Sequence, residues 1–212
     1  MKTSMALKGL LGAGALMLPL MVSAESNFQT GAATNSPGAT AHLDFSIVIP
    51  KILYLRVGTG SAYTTGALTS VNTIDLITFS PAAGTVGNGT AVAGTGGDLS
   101  NGVETAAIVS NSGNVTLNAT AGGALGDGNG DSIPFTQITT AATTLTSATA
   151  LPAPTLTNGV STNVLLVAPA TKFISQDAKW TYSYANAASV PAGTYGGVNV
   201  NNGRVVYTAT MP

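Results

Sequence analysis

The chain has 212 residues, a formal net charge of −1 and only 7% charged residues, where globular proteins carry about 25%. This composition excludes the basic surfaces that bind nucleic acids or anionic lipids, and its 44% hydrophobic content excludes a disordered chain. No cysteine is present, so neither disulfides nor thiolate-based zinc sites can stabilise the fold.

The first 24 residues have the pattern of a secretory signal peptide. Lys2 and Lys8 form a positive start, residues 9–21 are apolar, and Val-Ser-Ala at 22–24 is a small-residue cleavage site. An uncleaved anchor is the alternative. We predict a signal peptide over 1–24, a flexible polar lead-in over 25–38 and a single domain over 39–212.

Residues 39–49 alternate between apolar and mostly polar side chains. Successive side chains of a strand point to opposite faces, so the pattern predicts a strand with one apolar face. Such a strand must pair either with its own domain or with a neighbouring molecule. The apolar face, which we call the assembly row, consists of Ala39, Ala41, Leu43, Phe45, Ile47 and Ile49.

Short apolar runs separated by Gly, Asn and Pro continue the β pattern to the end of the chain, without helical periodicity. A turn at 111–113 is predicted to join two strands as a hairpin, and a Gly/Thr-rich region at about 80–102 is predicted to be a long loop. We predict an all-β, antiparallel, Ig-like Greek-key sandwich. Further strands are predicted at 52–57, 71–79, 104–110, 114–121, 133–138, 163–167, 178–186 and 204–211.

One short motif matches the first half of a calcium-binding loop. Asp127, Asn129 and Asp131 alternate with glycines, and oxygen ligands at this spacing are typical of calcium sites. Ile138 occupies the twelfth position, where an EF-hand has glutamate, so an EF-hand is excluded. A simpler calcium loop and a plain hairpin turn remain as alternatives, so the sequence predicts no cofactor unless this loop binds calcium.

Trp180, Tyr182 and Tyr184 share one face of a predicted strand. The row is either a stacking surface for sugars or part of the core, because aromatic side chains bury large areas. His42 is the only histidine, and no catalytic triad or pair of carboxylates is recognisable. The sequence therefore predicts a protein that is not an enzyme.

The two ends of the chain resemble fimbrial subunits of the chaperone–usher class and the related spore-coat-protein-U-like secreted proteins. Residues 39–49 resemble their opening strand of the Ala-Thr-Ala-x-Phe type, and residues 191–198 and 205–210 resemble their closing turn and strands. The resemblance covers well under half of the chain. It implies an incomplete sandwich whose missing strand is donated by a neighbour, giving a filament.

Two departures from this family leave alternatives. The first-strand cysteine of many such subunits is absent, and residues 25–38 have too few alternating apolar residues for a donor strand. Either residues 39–49 are the donated element, or the sandwich is complete. We expect an exported structural subunit of a bacterial surface fibre, pilus or matrix, passing through the periplasm with a chaperone and joining its own copies or related subunits. The alternative is a monomeric extracellular module that binds carbohydrate.

Overall fold

The computed structural model describes residues 26–33, 37–60 and 68–212, so the predicted signal peptide lies outside the described residues. The chain divides into two compact units, Met1–Ile49 and Pro50–Pro212. Among the described residues, no helix has the length and apolar character needed to cross a membrane.

In the first unit, the described residues form neither helix nor strand, and their side chains are exposed. The strand predicted at 39–49 is therefore not formed in the isolated chain. A strand needs a hydrogen-bonded neighbour, and no β pairing within the described part of the chain includes residues 39–49. The alternation marks a segment with strand periodicity that belongs to none of the sheets formed by the described residues.

The second unit is built almost entirely of short and medium strands. Two 3-10 turns, Ala83–Thr85 and Phe135–Gln137, interrupt the β structure. The strands are β1 Leu53–Val57, β2 Ile77–Thr78, β3 Val92–Ala93, β4 Thr95–Gly96, β5 Val103–Ser110, β6 Val115–Ala121, β7 Leu125–Gly126, β8 Ser132–Ile133, β9 Ile138–Thr143, β10 Ser161–Leu166, β11 Ile174–Tyr184 and β12 Val205–Thr210.

Two antiparallel sheets form the main part of this unit. The first has the order β1-β5-β11-β3, with β9 also paired to β11, and the second has the order β10-β6-β12. Two smaller ladders join β2 to β4 and β7 to β8, and all of these pairings are antiparallel. The prediction of an all-β, antiparallel sandwich is confirmed.

The core lies between the inward faces of the two sheets. In β6, Val115 and Leu117 are fully buried while the intervening residues are half-buried, because alternate side chains leave opposite faces. Trp180 of β11 is the largest fully buried side chain, and its indole N–H donates to the Leu151 carbonyl at 2.8 Å. Leu151 belongs to a partly buried segment, 151–158, that lies between β9 and β10, so this bond ties the segment to the first sheet.

The predicted hairpin around residues 111–113 is wrong, because β5 and β6 belong to different sheets. The turn is present, but its first residue is bound to the segment before β1. Asn111 accepts a hydrogen bond from the Ile52 N–H at 2.8 Å, and its side-chain amide donates to the Pro50 carbonyl at 2.8 Å. These bonds end β5 beside β1, and the chain then crosses to the second sheet.

Two other predicted strands are much shorter in the structure. Only β2 forms within 71–79, because side chains such as Ile74, 64% exposed, do not reach the core. The predicted strand 133–138 is divided between β8 and the second 3-10 turn. Pro134 separates them, since proline lacks the N–H that a strand ladder requires.

Two buried polar side chains fasten loops to the first sheet. The Asp177 carboxylate, 1% exposed, accepts hydrogen bonds from the backbone N–H groups of Thr146 and Ser147 at 2.8 Å each, and from both of their hydroxyls. The Asn186 side chain, fully buried, donates to the Thr85 carbonyl at 2.7 Å and accepts from the Gly87 N–H at 2.8 Å. Both groups have partners, as buried polar groups must.

Candidate functional site

The two sheets meet at one side of the sandwich through strands that each have one paired neighbour. β1 pairs with β5 and β12 pairs with β6, and these two edge strands approach each other without a ladder between them within the described residues. Edge strands of this kind offer backbone N–H and carbonyl groups to another strand. We call β1 and β12 together the paired edges, meaning the two edge strands that lie side by side here without hydrogen-bonding to each other.

The apolar side chains of the paired edges are only partly covered. Leu53, Leu55 and Val57 of β1 pack against the core but remain half-buried, whereas Leu117 in the middle of the second sheet has no exposure. The same holds along β12 for Val205, Tyr207 and Ala209. A groove of about 450 Å³ follows β1, bounded by residues 69–73. The lining of this groove is mainly polar, so further apolar side chains would be buried against the half-buried residues of β1 and β12 and not in the groove.

The assembly row is exposed along its length. Phe45 and Ile47 are each 86% exposed, and Leu43 and Ile49 are 67% and 75% exposed. Ala39 and Ala41 are also exposed. Large exposed apolar patches are uncommon on monomeric proteins and are typical of interaction sites. The structure thus keeps the six residues accessible, as either a donor strand or another binding segment requires.

The fold also brings together three carboxylates that look scattered in the sequence. Arg56 of β1 pairs with Asp98 at 2.8 Å, and the Asp98 N–H donates to the Glu104 carboxylate at 3.2 Å. Asp75 completes the group, because a Cβ added at Gly58 would clash with both Asp75 and Glu104. Gly58 has φ +84° and no Cβ, so it lets both carboxylates approach the backbone at the end of β1.

Burial shifts the pKa of Glu104 strongly upward. Loss of hydration raises the pKa of this carboxyl from 4.5 to about 8, and the negative charges of Asp75 and Asp98 add to the effect. Burial also acts to raise the pKa of Asp98, but hydrogen bonds from Thr105 and the charge of Arg56 bring it below its ordinary value. Glu104 is thus the group in this cluster whose charge changes near neutral pH.

We expect the free energy of unfolding to fall as the pH rises from about 4.5 to about 8. In this window the unfolded chain has released the Glu104 proton while the folded chain still holds it, so each pH unit costs at most about 1.4 kcal/mol. Replacing Glu104 by glutamine is expected to flatten this dependence. Urea denaturation at pH 5 and pH 8 measures it, with exposed Asp131→Asn as the control; an unchanged slope in Glu104→Gln would contradict the assignment.

The candidate calcium residues lie in the turn between β7 and β8. One Asp127 oxygen accepts hydrogen bonds from the N–H groups of Asn129 and Asp131, at 2.8 and 3.1 Å, and these bonds lower the pKa of Asp127. The carboxylate is therefore used to close the turn. Among the described residues, no group of three or more His, Cys, Asp or Glu is arranged to hold a metal ion. The turn joins the antiparallel β7–β8 pair as in a hairpin, and calcium binding stays a prediction.

The aromatic row lies inside the sandwich. Trp180, Tyr182 and Tyr184 are 0%, 6% and 7% exposed, so they lack the accessible faces that a stacked sugar needs. The Tyr182 hydroxyl lies 3.0 Å from that of Tyr207, and the Trp180 and Tyr207 ring centres are 5.4 Å apart. The possible stacking face is therefore corrected to core, because the rings fill the space between the sheets.

One feature of the site was not recognisable from local sequence, and one predicted motif has a different form in the structure. The carboxylate cluster escaped the sequence analysis because Asp75 and Asp98 belong to loops that only the folded chain brings to Glu104. Residues 191–198 contain no strand; the Tyr195 hydroxyl donates to the Pro191 carbonyl at 2.8 Å and closes a turn.

Comparisons with family models, with curated proteins and with solved structures find no match to this chain.

Proposed function

We propose that this chain is an exported, non-catalytic structural subunit that assembles by β-strand addition. The assembly row of one molecule adds to the paired edges of the next, as in the fimbrial subunits that the two ends of the chain resemble. One observation carries the proposal: an alternating apolar segment is exposed and lies outside the described sheets, in a chain whose sandwich has edge strands with half-covered apolar side chains. Each element offers the other a partner for both its backbone and its side chains.

Burial of the assembly row supplies a free energy of the same order as the cost of association, which is about 4–15 kcal/mol. Burying a Phe, Leu or Ile side chain stabilises by about 1.5–3 kcal/mol, so the four large residues of the row supply roughly 6–12 kcal/mol before the entropic cost of association. A β ladder adds backbone hydrogen bonds along the segment. Because charged residues are only 7% of the chain, neighbouring copies also meet with little electrostatic repulsion.

In this proposal the sandwich is Ig-like in topology, and its completing strand comes from another subunit. The partners are further copies of the chain or related subunits of a surface fibre, pilus or extracellular matrix. A periplasmic chaperone would cover the paired edges before assembly, since exposed apolar edges otherwise aggregate. The predicted signal peptide supports the required export.

Deleting residues 25–49 tests the proposal. The chain from Glu25 onward is expected to form filaments by negative-stain microscopy, and the deleted chain is expected to remain monomeric. A synthetic peptide of residues 39–49 should then bind the deleted chain and raise its melting temperature. The control peptide has the same composition with the alternation scrambled. Filaments that persist without residues 25–49 would refute strand addition by this segment.

A further inference from the structure

One side chain holds the short connector between the assembly row and β1. The Ile52 N–H donates to the Asn111 side-chain oxygen at 2.8 Å, and the Asn111 side-chain amide donates to the Pro50 carbonyl at 2.8 Å. The Asn111 backbone N–H donates to the Ile52 carbonyl at 3.3 Å. Because Leu53 is paired with Ser110, these bonds continue the β1–β5 ladder beyond its last paired residues.

This connector has consequences for where the assembly row can bind. A strand that folds back on its neighbour needs a turn, commonly of two to five residues. Residues 50–52 separate the row from β1, so these three residues would have to form that turn. The bonds to Asn111 keep these residues in line with β1. Pro50 restricts the backbone further, because its ring fixes φ at a negative value and two-residue hairpin turns need positive φ. A turn at 50–52 would break all three hydrogen bonds.

We propose that Asn111 determines that the assembly row joins a second copy of the chain and not the edge of its own sandwich. This inference rests on the proposed function and names the residue that decides between the two pairings. By holding the connector straight, Asn111 disfavours a closed monomer whose own row covers its edges. The edges then stay available to the row of a neighbouring copy.

The test compares Asn111→Ala with Asn114→Ala in the chain from Glu25 onward. Asn114 is a matched control, because its side chain accepts a hydrogen bond from the Ala168 N–H at 2.9 Å near the same turn and makes none to the connector. Hydrogen exchange over 39–49 and sedimentation are followed across concentration. The unmodified chain and Asn114→Ala should protect the row only at concentrations where they assemble.

Asn111→Ala is expected to protect the row already in the monomer and to need about tenfold more protein for half-assembly, the factor expected from losing two side-chain hydrogen bonds. A short Gly-Ser insertion after Ile49 supplies a turn without altering Asn111 and should give the same closed monomer. If Asn111→Ala does not fold, Asn111→Asp takes its place, because it keeps the acceptor for Ile52 and loses the donor to Pro50.

The outcomes separate this inference from the proposed function. If the Asn111 variant assembles at the unmodified concentration with an unprotected row in its monomer, the role of Asn111 is refuted and strand addition stands. If the row of the unmodified chain gains no protection at any concentration and the 39–49 peptide does not bind, strand addition itself is refuted. Closed monomers of the Asn111 variant, with normal behaviour of Asn114→Ala, support both.

Discussion

Replacing Phe45 and Ile47 together by aspartate is expected to abolish assembly while leaving the sandwich folded. Both side chains are 86% exposed in the isolated chain, so their replacement removes no core contact. In the assembled state each would lose about 2 kcal/mol of burial and would place a charge against an apolar edge. A combined loss of about 4 kcal/mol corresponds to a roughly 1,000-fold higher concentration for half-assembly.

The matched control replaces Thr40 and Ser46, which lie on the opposite face of the same segment, by aspartate. It adds the same charge and is expected to retain assembly, because these side chains point away from the receiving sandwich. Sedimentation over a range of concentrations gives the assembly constants, and circular dichroism checks the fold. Equal losses in the two double variants would mean that net charge, and not the apolar row, controls assembly.

Trp180→Ala is expected to destabilise the sandwich by about 3–5 kcal/mol, the cost of emptying a large buried site. The side chain is completely buried, its ring packs against Tyr207, and its N–H satisfies the Leu151 carbonyl. Removing it leaves both a cavity and an unpaired buried acceptor. Domains are commonly stable by only 5–15 kcal/mol, so much of the variant could be unfolded.

Urea denaturation followed by far-UV circular dichroism measures this loss without relying on tryptophan fluorescence. Trp180→Phe should fall between the native chain and the alanine variant, because it keeps an aromatic ring but loses the N–H donor. Val160→Ala, at a position 55% exposed, should change stability by less than about 0.5 kcal/mol. A cost below about 1 kcal/mol for Trp180→Ala would show that the core is not packed around this ring.

The strands with a clear local pattern could be predicted from sequence, but their arrangement could not. The alternation in β6 and β11 is a property of neighbouring residues. β6 forms within one residue of its predicted bounds, whereas β11 begins at Ile174, before the predicted start at 178. The turn at 111–113 has the same local chemistry whether it joins strands of one sheet or of two. Which of the two connections forms depends on the hydrogen bonds between Asn111 and Ile52 and Pro50. These residues lie 59 and 61 positions earlier in the chain, so no local pattern predicts the bonds.

The candidate site could likewise be predicted from the sequence only in part. The assembly row is visible in the sequence because strand periodicity repeats every second residue, although no sheet of the described residues includes it. The aromatic row was ambiguous, because the same spacing serves a core and a stacking surface. Only the second sheet, packed over Trp180, decides between them.

The hydrogen bonds by which the Asp177 and Asn186 side chains hold loops in place affect how this chain can fold. Each links segments far apart in the sequence, at the kind of position where many small secreted domains use a disulfide, and the chain contains no cysteine. Such links need no oxidant or isomerase, because they form with the fold itself. They also resist reducing agents, and once the chain unfolds nothing covalent remains to guide its refolding.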